Sequence, residues 1–94
     1  MAIARVVSFE DVDASRMSDL QGRMEQDGPP EGMPAVELLV LHDAGAGRAL
    51  VLQLFDNDDD YRRGEEMFAA MDAADTPGRR ASVSRYDVAA RMQR

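Results

Sequence analysis

His42 is the only histidine in this 94-residue chain, which has no cysteine, so few side chains are suited to proton transfer near neutral pH. It ends an apolar stretch and precedes Asp43. At the end of a strand, where a sheet edge can open into a cleft, an imidazole is a candidate general base. Neighbouring strand residues point to opposite faces, so Asp43 need not contact it. The alternative is a solvated histidine at the end of a hairpin.

The two tyrosines are the other polar groups able to orient a phenolic or carbonyl ligand, because each joins an apolar ring to a hydroxyl. We take His42 and Tyr61 as the candidate catalytic residues. Methionine is adaptable and can line pockets for varied ligands. A pocket between helices and sheet is predicted from the following side chains: Phe9, Met17, Met24, Phe55, Met67, Phe68, Met71 and Tyr86. The alternative is that they form an ordinary packed core.

A run of acids at residues 56–60, "DNDDD", raises the question of a cation site. A calcium loop of the EF-hand kind needs glycine at its sixth position and glutamate at its twelfth. Counting from Asp56, those positions hold Tyr61 and Met67. Asn57 or Asp58 is instead a good helix N-cap, and the next aspartates suit the helix dipole. One histidine without cysteine also supplies too few transition-metal ligands. We therefore predict no metal and no cofactor.

Composition restricts the partners. The chain carries 18 acidic residues against 11 basic ones, all of them arginine, and its net charge is −7. Such a surface repels nucleic acid and anionic membranes. No apolar stretch approaches the roughly 20 residues that span a bilayer. Residues 2–9 are too short for a signal peptide and are interrupted by Arg5. We expect a cytoplasmic protein with one domain over residues 1–94.

The order of elements predicts the fold. Met17, Leu20 and Met24 recur on one helical face, and Gly28 ends that helix. Gly45 and Gly47, in the stretch "AGAG" at residues 44–47, predict a hairpin turn. Strands are predicted over residues 2–9, 35–43, 48–55 and 79–91, and helices over 10–28 and 58–75. This α+β order is the ferredoxin-like βαββαβ arrangement, with a four-stranded antiparallel sheet and two helices on one face.

The central hairpin is apolar on both faces, at residues 36–41 and 49–55. Two helices cover only one face of such a sheet, and the uncovered face normally alternates with polar residues. The second apolar face therefore needs a cover, and the simplest cover is the same face of a second copy. We predict a homodimer through the open sheet face. The alternative is a monomer that exposes an aliphatic sheet.

The element order, the doubly apolar hairpin and two passages, "LVLQLFDNDDDYRRGEE" (50–66) and "TPGRRASVSRYDVA" (76–89), resemble the dimeric α/β-barrel superfamily, and more narrowly antibiotic-biosynthesis-monooxygenase-like proteins. The resemblance implies two ferredoxin-like subunits packed sheet to sheet, with a ligand pocket in each between sheet and helices. Members include cofactor-independent oxygenases, heme-degrading enzymes and muconolactone isomerases. The oxygenases typically carry a tryptophan and an asparagine near the substrate. This chain has no tryptophan, and its only asparagine is Asn57.

Three functions follow from these observations. The first is a monooxygenase-like or isomerase-like enzyme on a small apolar or aromatic molecule, which predicts a pocket with His42 or a tyrosine hydroxyl pointing into it. The second is a ligand-binding or stress-related dimeric module without catalysis, with apolar walls only. The third is a structural association domain, in which the space between helices and sheet is solid. Whether the protein is an enzyme stays open at this point.

Overall fold

The computed structural model describes residues 2–28, 31–70 and 76–94. The elements are β1 (Ile3–Glu10), α1 (Ala14–Asp27), β2 (Glu37–Asp43), β3 (Arg48–Phe55), α2 (Asp58–Ala69) and β4 (Arg79–Asp87). The strands form one antiparallel sheet in the order β2-β3-β1-β4. The predicted ferredoxin-like fold is confirmed. None of the helices in these ranges is long and apolar enough to cross a membrane.

Both helices begin at side-chain caps, and the cap of α2 is one of the two that the sequence predicts. The Asp13 carboxylate accepts hydrogen bonds from the backbone N–H groups of Ser15 and Arg16 at the start of α1. Gly28 ends α1 with a φ of 67°, a left-handed conformation that favours glycine. The Asn57 side chain accepts from the Asp60 N–H at the start of α2. Caps of this kind satisfy N–H groups that have no partner inside the helix.

The core lies between the helices and one face of the sheet. Alternate residues of β1 and β3 share this face, because Ile3 pairs with Phe55 and Val7 with Val51. One buried cluster consists of Val7, Phe9, Met17 and Ala49, beneath α1. A second consists of Ile3, Phe55 and Tyr61, beneath α2. Each helix therefore covers its own part of the same sheet face.

Helix α2 packs tightly against the sheet at Gly64. A Cβ at this position would lie 2.3 Å from the Cε1 atom of Phe55, whose side chain is fully buried. Phe55 in turn meets the ring of Tyr61 edge to face, at 5.5 Å between centroids. Glycine is thus required here by close approach and not by backbone conformation.

The opposite face of the sheet carries leucines of the hairpin, as the doubly apolar pattern predicted. Leu39 and Leu41 of β2 and Leu50 of β3 are 41%, 48% and 39% exposed. Leu39 pairs with Leu52, and Leu41 pairs with Leu50, so these side chains form one continuous surface. We call this surface, made by Leu39, Leu41, Leu50, Leu52 and Leu54, the leucine face.

Candidate functional site

An open cleft of about 320 Å³ lies between α1 and β2. Its apolar walls come from Met17, Leu20 and Met24 on one face of α1, and from Val40 on β2. The polar part of the lining comes from His42, Gln21 and Glu25. We call it the α1–β2 cleft. Two of the predicted pocket residues and one predicted catalytic residue therefore meet in one place.

The strand alternation determines where His42 points. Val40 pairs with Val51 and His42 with Ala49, and both partners face the helices. His42 is exposed, at the open end of the cleft. The neighbouring Asp43 points to the other face, where its carboxylate accepts from the Arg48 guanidinium at 3.3 Å and from the Ala46 N–H. The hydrogen bond from Arg48 lowers the pKa of the Asp43 carboxyl. Asp43 thus serves the hairpin turn, as the alternation rule allowed.

A second polar group lies on the same sheet face, beneath α2. Arg5 is only 3% exposed and Gln53 only 2%. The Nη1 group of Arg5 donates to Oε1 of Gln53 at 3.0 Å, while its buried Nε has no partner. Burial lowers the pKa of the Arg5 guanidinium. The Phe68 ring lies over this guanidinium, 5.8 Å from its centroid.

Arg85 of β4 completes this group, because it pairs directly with Arg5 across the β1–β4 ladder. We call Gln53, Arg5 and Arg85 the polar row. Arg85 donates to Asp58 at 2.8 Å and stacks on the Tyr61 ring at 4.8 Å. Burial raises the pKa of the Tyr61 phenol, and the nearby Glu65 carboxylate raises it further. A neutral phenol in this setting can donate a hydrogen bond at neutral pH.

The structure separates the two predicted catalytic residues, since His42 lines the α1–β2 cleft and Tyr61 lies beneath α2. Among the predicted pocket residues, Phe9 and Phe55 are core side chains, 6% and 0% exposed. Met67 and Phe68 are half-buried on α2. Met71 lies outside the described residues.

The placement of Tyr86 in this pocket is wrong. Tyr86 pairs with Ala4, which lies on the face of β1 away from the helices. Its side chain is 59% exposed there. The alternation along β4 groups Tyr86 with Ser82 and Ser84, but it does not tell which side of the sheet the helices cover.

Sequence reasoning missed the polar row. The signal was present, because Arg5 interrupts an alternating apolar strand and Gln53 interrupts a continuous apolar run. A polar residue at a position whose neighbours are buried is the informative exception.

Two acids of the run at the start of α2 form ion pairs. Asp58 binds Arg62 and Arg85, and Asp60 binds Arg63. In the described parts of the chain, no group of three or more histidine or acidic side chains is arranged to hold a metal ion. The run caps and charges the helix N-terminus, as predicted.

No family model matches the sequence, and no curated protein matches it significantly. Solved structures that are similar to the chain include two of MhuD. One is the heme degrader MhuD from Mycobacterium tuberculosis with two hemes bound in its active site, at 19% identity and a TM-score of 0.65, covering 97% of this chain and 99% of that one. The other is a mutant MhuD with two manganese protoporphyrin IX bound per active site, at 16% identity and a TM-score of 0.61, covering 97% and 98%.

The TM-scores of 0.61 and 0.65 establish the fold, whereas identities of 16% and 19% are too low to transfer the chemistry. The similarity extends over almost the whole of both chains, and it includes the order of helices and strands. The resemblance seen in the sequence is therefore confirmed at the level of the fold, because the chain shares the ferredoxin-like subunit fold of the two MhuD structures.

Proposed function

We propose that the protein binds a small apolar or aromatic molecule in the α1–β2 cleft, and that His42 acts there as a general base in monooxygenase-like or isomerase-like chemistry. The observation that carries this proposal is the meeting of His42 with Met17, Met24 and Val40 around one concave space. An apolar wall with few polar groups is the usual composition of a small-molecule site.

The dimensions of the cleft favour a compact ligand. Its volume of about 320 Å³ is near the lower end of the range for small-molecule pockets. Met17 and Met24 can adjust their side chains to ring systems of different outline. Gln21 donates to Glu25 at 3.5 Å on the exposed side of α1, which leaves His42 as the polar group on the opposite wall.

The chemistry that His42 supports is proton abstraction. A neutral imidazole can take the proton of a phenol, or of a carbon next to a carbonyl, when the ligand's ring lies against the methionines. Proton removal from carbon begins an isomerisation. Proton removal from a phenol gives an electron-rich phenolate, the form of a phenolic substrate that is more readily oxidised. Neither step calls on a cofactor.

A binding module without catalysis is the alternative, and it uses the same cleft. The two functions separate at His42, because binding depends on the methionine wall whereas turnover depends on the imidazole. Heme is a second candidate ligand, favoured by the fold shared with MhuD and by the ability of imidazole to ligate iron. Against heme, the lining offers the Glu25 carboxylate to the propionates and no arginine. A hemin titration followed by absorbance tests this candidate directly.

The binding proposal is tested by filling the cleft. The probe is 2-naphthol, titrated into the protein by calorimetry. Met24→Trp places a larger side chain in the cleft, and we expect it to weaken binding at least about tenfold. Met92→Trp is the matched control, because Met92 is 97% exposed, and it should bind as the wild type does. Equal affinities for the two variants, or no saturable binding by the wild type, would contradict the proposal.

The leucine face supports a further part of the proposal, a homodimer formed sheet to sheet. Its exposed leucines are continuous across β2 and β3. Polar pairs lie at its margins, between Ser8 and Ser82 at 2.6 Å and between Arg91 and Glu37. An apolar centre with a polar rim is typical of protein interfaces. A second copy buries the same leucines against themselves.

The dimer is tested by introducing glutamate separately at two positions whose side chains are similarly exposed, Leu41 and Val83. Leu41 is 48% exposed on the leucine face, whereas Val83 is 44% exposed on the helix-facing side of β4. We expect Leu41→Glu to shift the mass measured by sedimentation from dimer to monomer, because a pair of carboxylates would be buried in the interface. Val83→Glu should leave the dimer intact. A monomeric wild type, or dimers of both variants, would refute this arrangement.

A further inference from the structure

The buried guanidinium of Arg5 has a hydrogen-bond donor that lacks an acceptor. Its Nη1 group is satisfied by the neutral amide of Gln53, but its Nε is buried and has no hydrogen-bond partner. Buried polar groups are nearly always paired, and an unpaired donor on a cation is especially costly. Arg5 therefore lacks one acceptor, and the natural acceptor for a guanidinium is a carboxylate.

The charged groups around Arg5 increase its need for an acidic partner. Arg85 is the direct partner of Arg5 across the two strands, and Arg80, also on β4, repels the Arg5 guanidinium electrostatically. Asp58 neutralises Arg85 at 2.8 Å. Glu65 attracts Arg5 electrostatically. In the described part of the chain, Arg5 thus has no carboxylate partner of its own.

Access to Arg5 comes from the β4 side. The Arg85 side chain is 47% exposed, and Val83, next to it on the helix-facing side of the strand, is 44% exposed. The helices therefore leave this edge of the sheet face open. Phe68 lies 5.8 Å from the Arg5 guanidinium, farther than tight stacking, and is itself half-buried. A ligand that reaches the guanidinium from this edge must displace the Phe68 ring that lies over it.

We propose that the polar row is an anion-binding subsite, in which Arg5 holds the carboxylate of a small organic acid that enters beneath α2 from the β4 edge. Nε and a terminal nitrogen of one guanidinium can bind both oxygens of a carboxylate. Gln53 positions the guanidinium from the other side, at 3.0 Å. The subsite is separate from the α1–β2 cleft, so the two proposals stand or fall independently.

The test compares two probes that differ in charge alone, benzoate and benzamide. The Nε–H signal of Arg5 is observed by nitrogen-15 NMR and is assigned by its loss in Arg5→Lys. We expect benzoate to shift this signal saturably and benzamide to leave it unchanged. The proposal is overturned, without need of any variant, if benzoate leaves the Arg5 signal of the wild type unshifted or if both probes shift it equally.

Substitutions then locate the interaction. Arg5→Met keeps the apolar length and should weaken benzoate binding about tenfold to hundredfold, the range for a charge-assisted hydrogen bond. Arg48→Met is the matched control, because Arg48 is a surface arginine paired with Asp43 at the hairpin end. If Arg5→Met does not fold, Gln53→Leu replaces it, and it should also reduce the response of Arg5 to benzoate. Unchanged benzoate affinity in a folded Arg5→Met overturns the proposal.

The two proposed sites give different signals. Benzoate that shifts Arg5 but not His42 supports the anion subsite whatever happens in the cleft. A ligand that shifts His42 and Met24 but never Arg5 supports the cleft and removes the subsite.

Discussion

The approach of Gly64 to the Phe55 ring predicts a large effect of one methyl group. In Gly64→Ala the new Cβ would lie 2.3 Å from Cε1 and 2.5 Å from Cζ of Phe55. Carbon atoms pack at about 3.5–4.0 Å, so the helix or the ring must move by more than about 1 Å. Phe55 has little room to move, since it is fully buried against Ile3 and Tyr61.

The expected loss follows from two opposing effects. Overpacking of this kind costs about 1–3 kcal/mol, and sometimes more. Replacing glycine by alanine inside a helix recovers about 1 kcal/mol. Taking the upper end for so short a contact, we expect Gly64→Ala to lower the free energy of unfolding by about 2 kcal/mol. That is a large share of the about 5–15 kcal/mol typical of a folded domain.

Gly22 of α1 offers the matched control. A Cβ at Gly22 would meet nothing within 4 Å, so Gly22→Ala brings only the helical gain, about 0.5–1 kcal/mol. Urea unfolding followed by circular dichroism, at one protein concentration, compares the variants with the wild type. The close approach of α2 to β3 would be refuted if Gly64→Ala were as stable as the wild type or Gly22→Ala.

Three further predictions follow from single side chains. Asn57→Ala removes the cap of α2 and should lower the free energy of unfolding in urea by about 1 kcal/mol, whereas Asn57→Asp should retain most of it. The pKa of Tyr61 is raised on folding, so its contribution to stability is complete below about pH 10 and is lost as the pH rises towards the folded-state pKa. Over that pH range the urea midpoint of Tyr61→Phe should therefore fall less than that of the wild type. Parallel curves for the two proteins would show that Tyr61 is not responsible. We expect the wild type to accelerate deuterium exchange of 2-tetralone and His42→Gln to abolish this effect while still binding 2-naphthol. Equal exchange rates for the two proteins would assign the cleft to binding alone.

The elements of this fold could be predicted because their signals are local. Asn57 was one of two proposed caps, and the hairpin turn followed from its glycines. The apolar pattern of the hairpin also predicted that leucines such as Leu41 and Leu50 would lie outside the helix-covered face. Each of these inferences depends on residues within a few positions of one another, where steric and capping rules decide the outcome.

The site could be predicted only in part because it depends on which helix lies over which strand. Helical spacing predicts that Met17 and Met24 face the sheet together. It does not predict the cleft between these side chains and His42. Burial of Arg5 likewise depends on α2, whose Phe68 lies over the guanidinium. The face of Tyr86 was wrong for the same reason, since strand alternation relates neighbours without saying which side is covered.

The cleft is tested most directly by labelling the methionine methyl groups and titrating 2-naphthol in the NMR spectrometer. We predict that the methyl signals of Met17 and Met24 shift together and saturate with the His42 ring signals, because all three residues line the α1–β2 cleft. The methyl signal of Met92, which is 97% exposed, should stay in place. Shifts that spare Met17 and Met24, or that appear only at Met67 or Met92, would contradict a ligand site between α1 and β2.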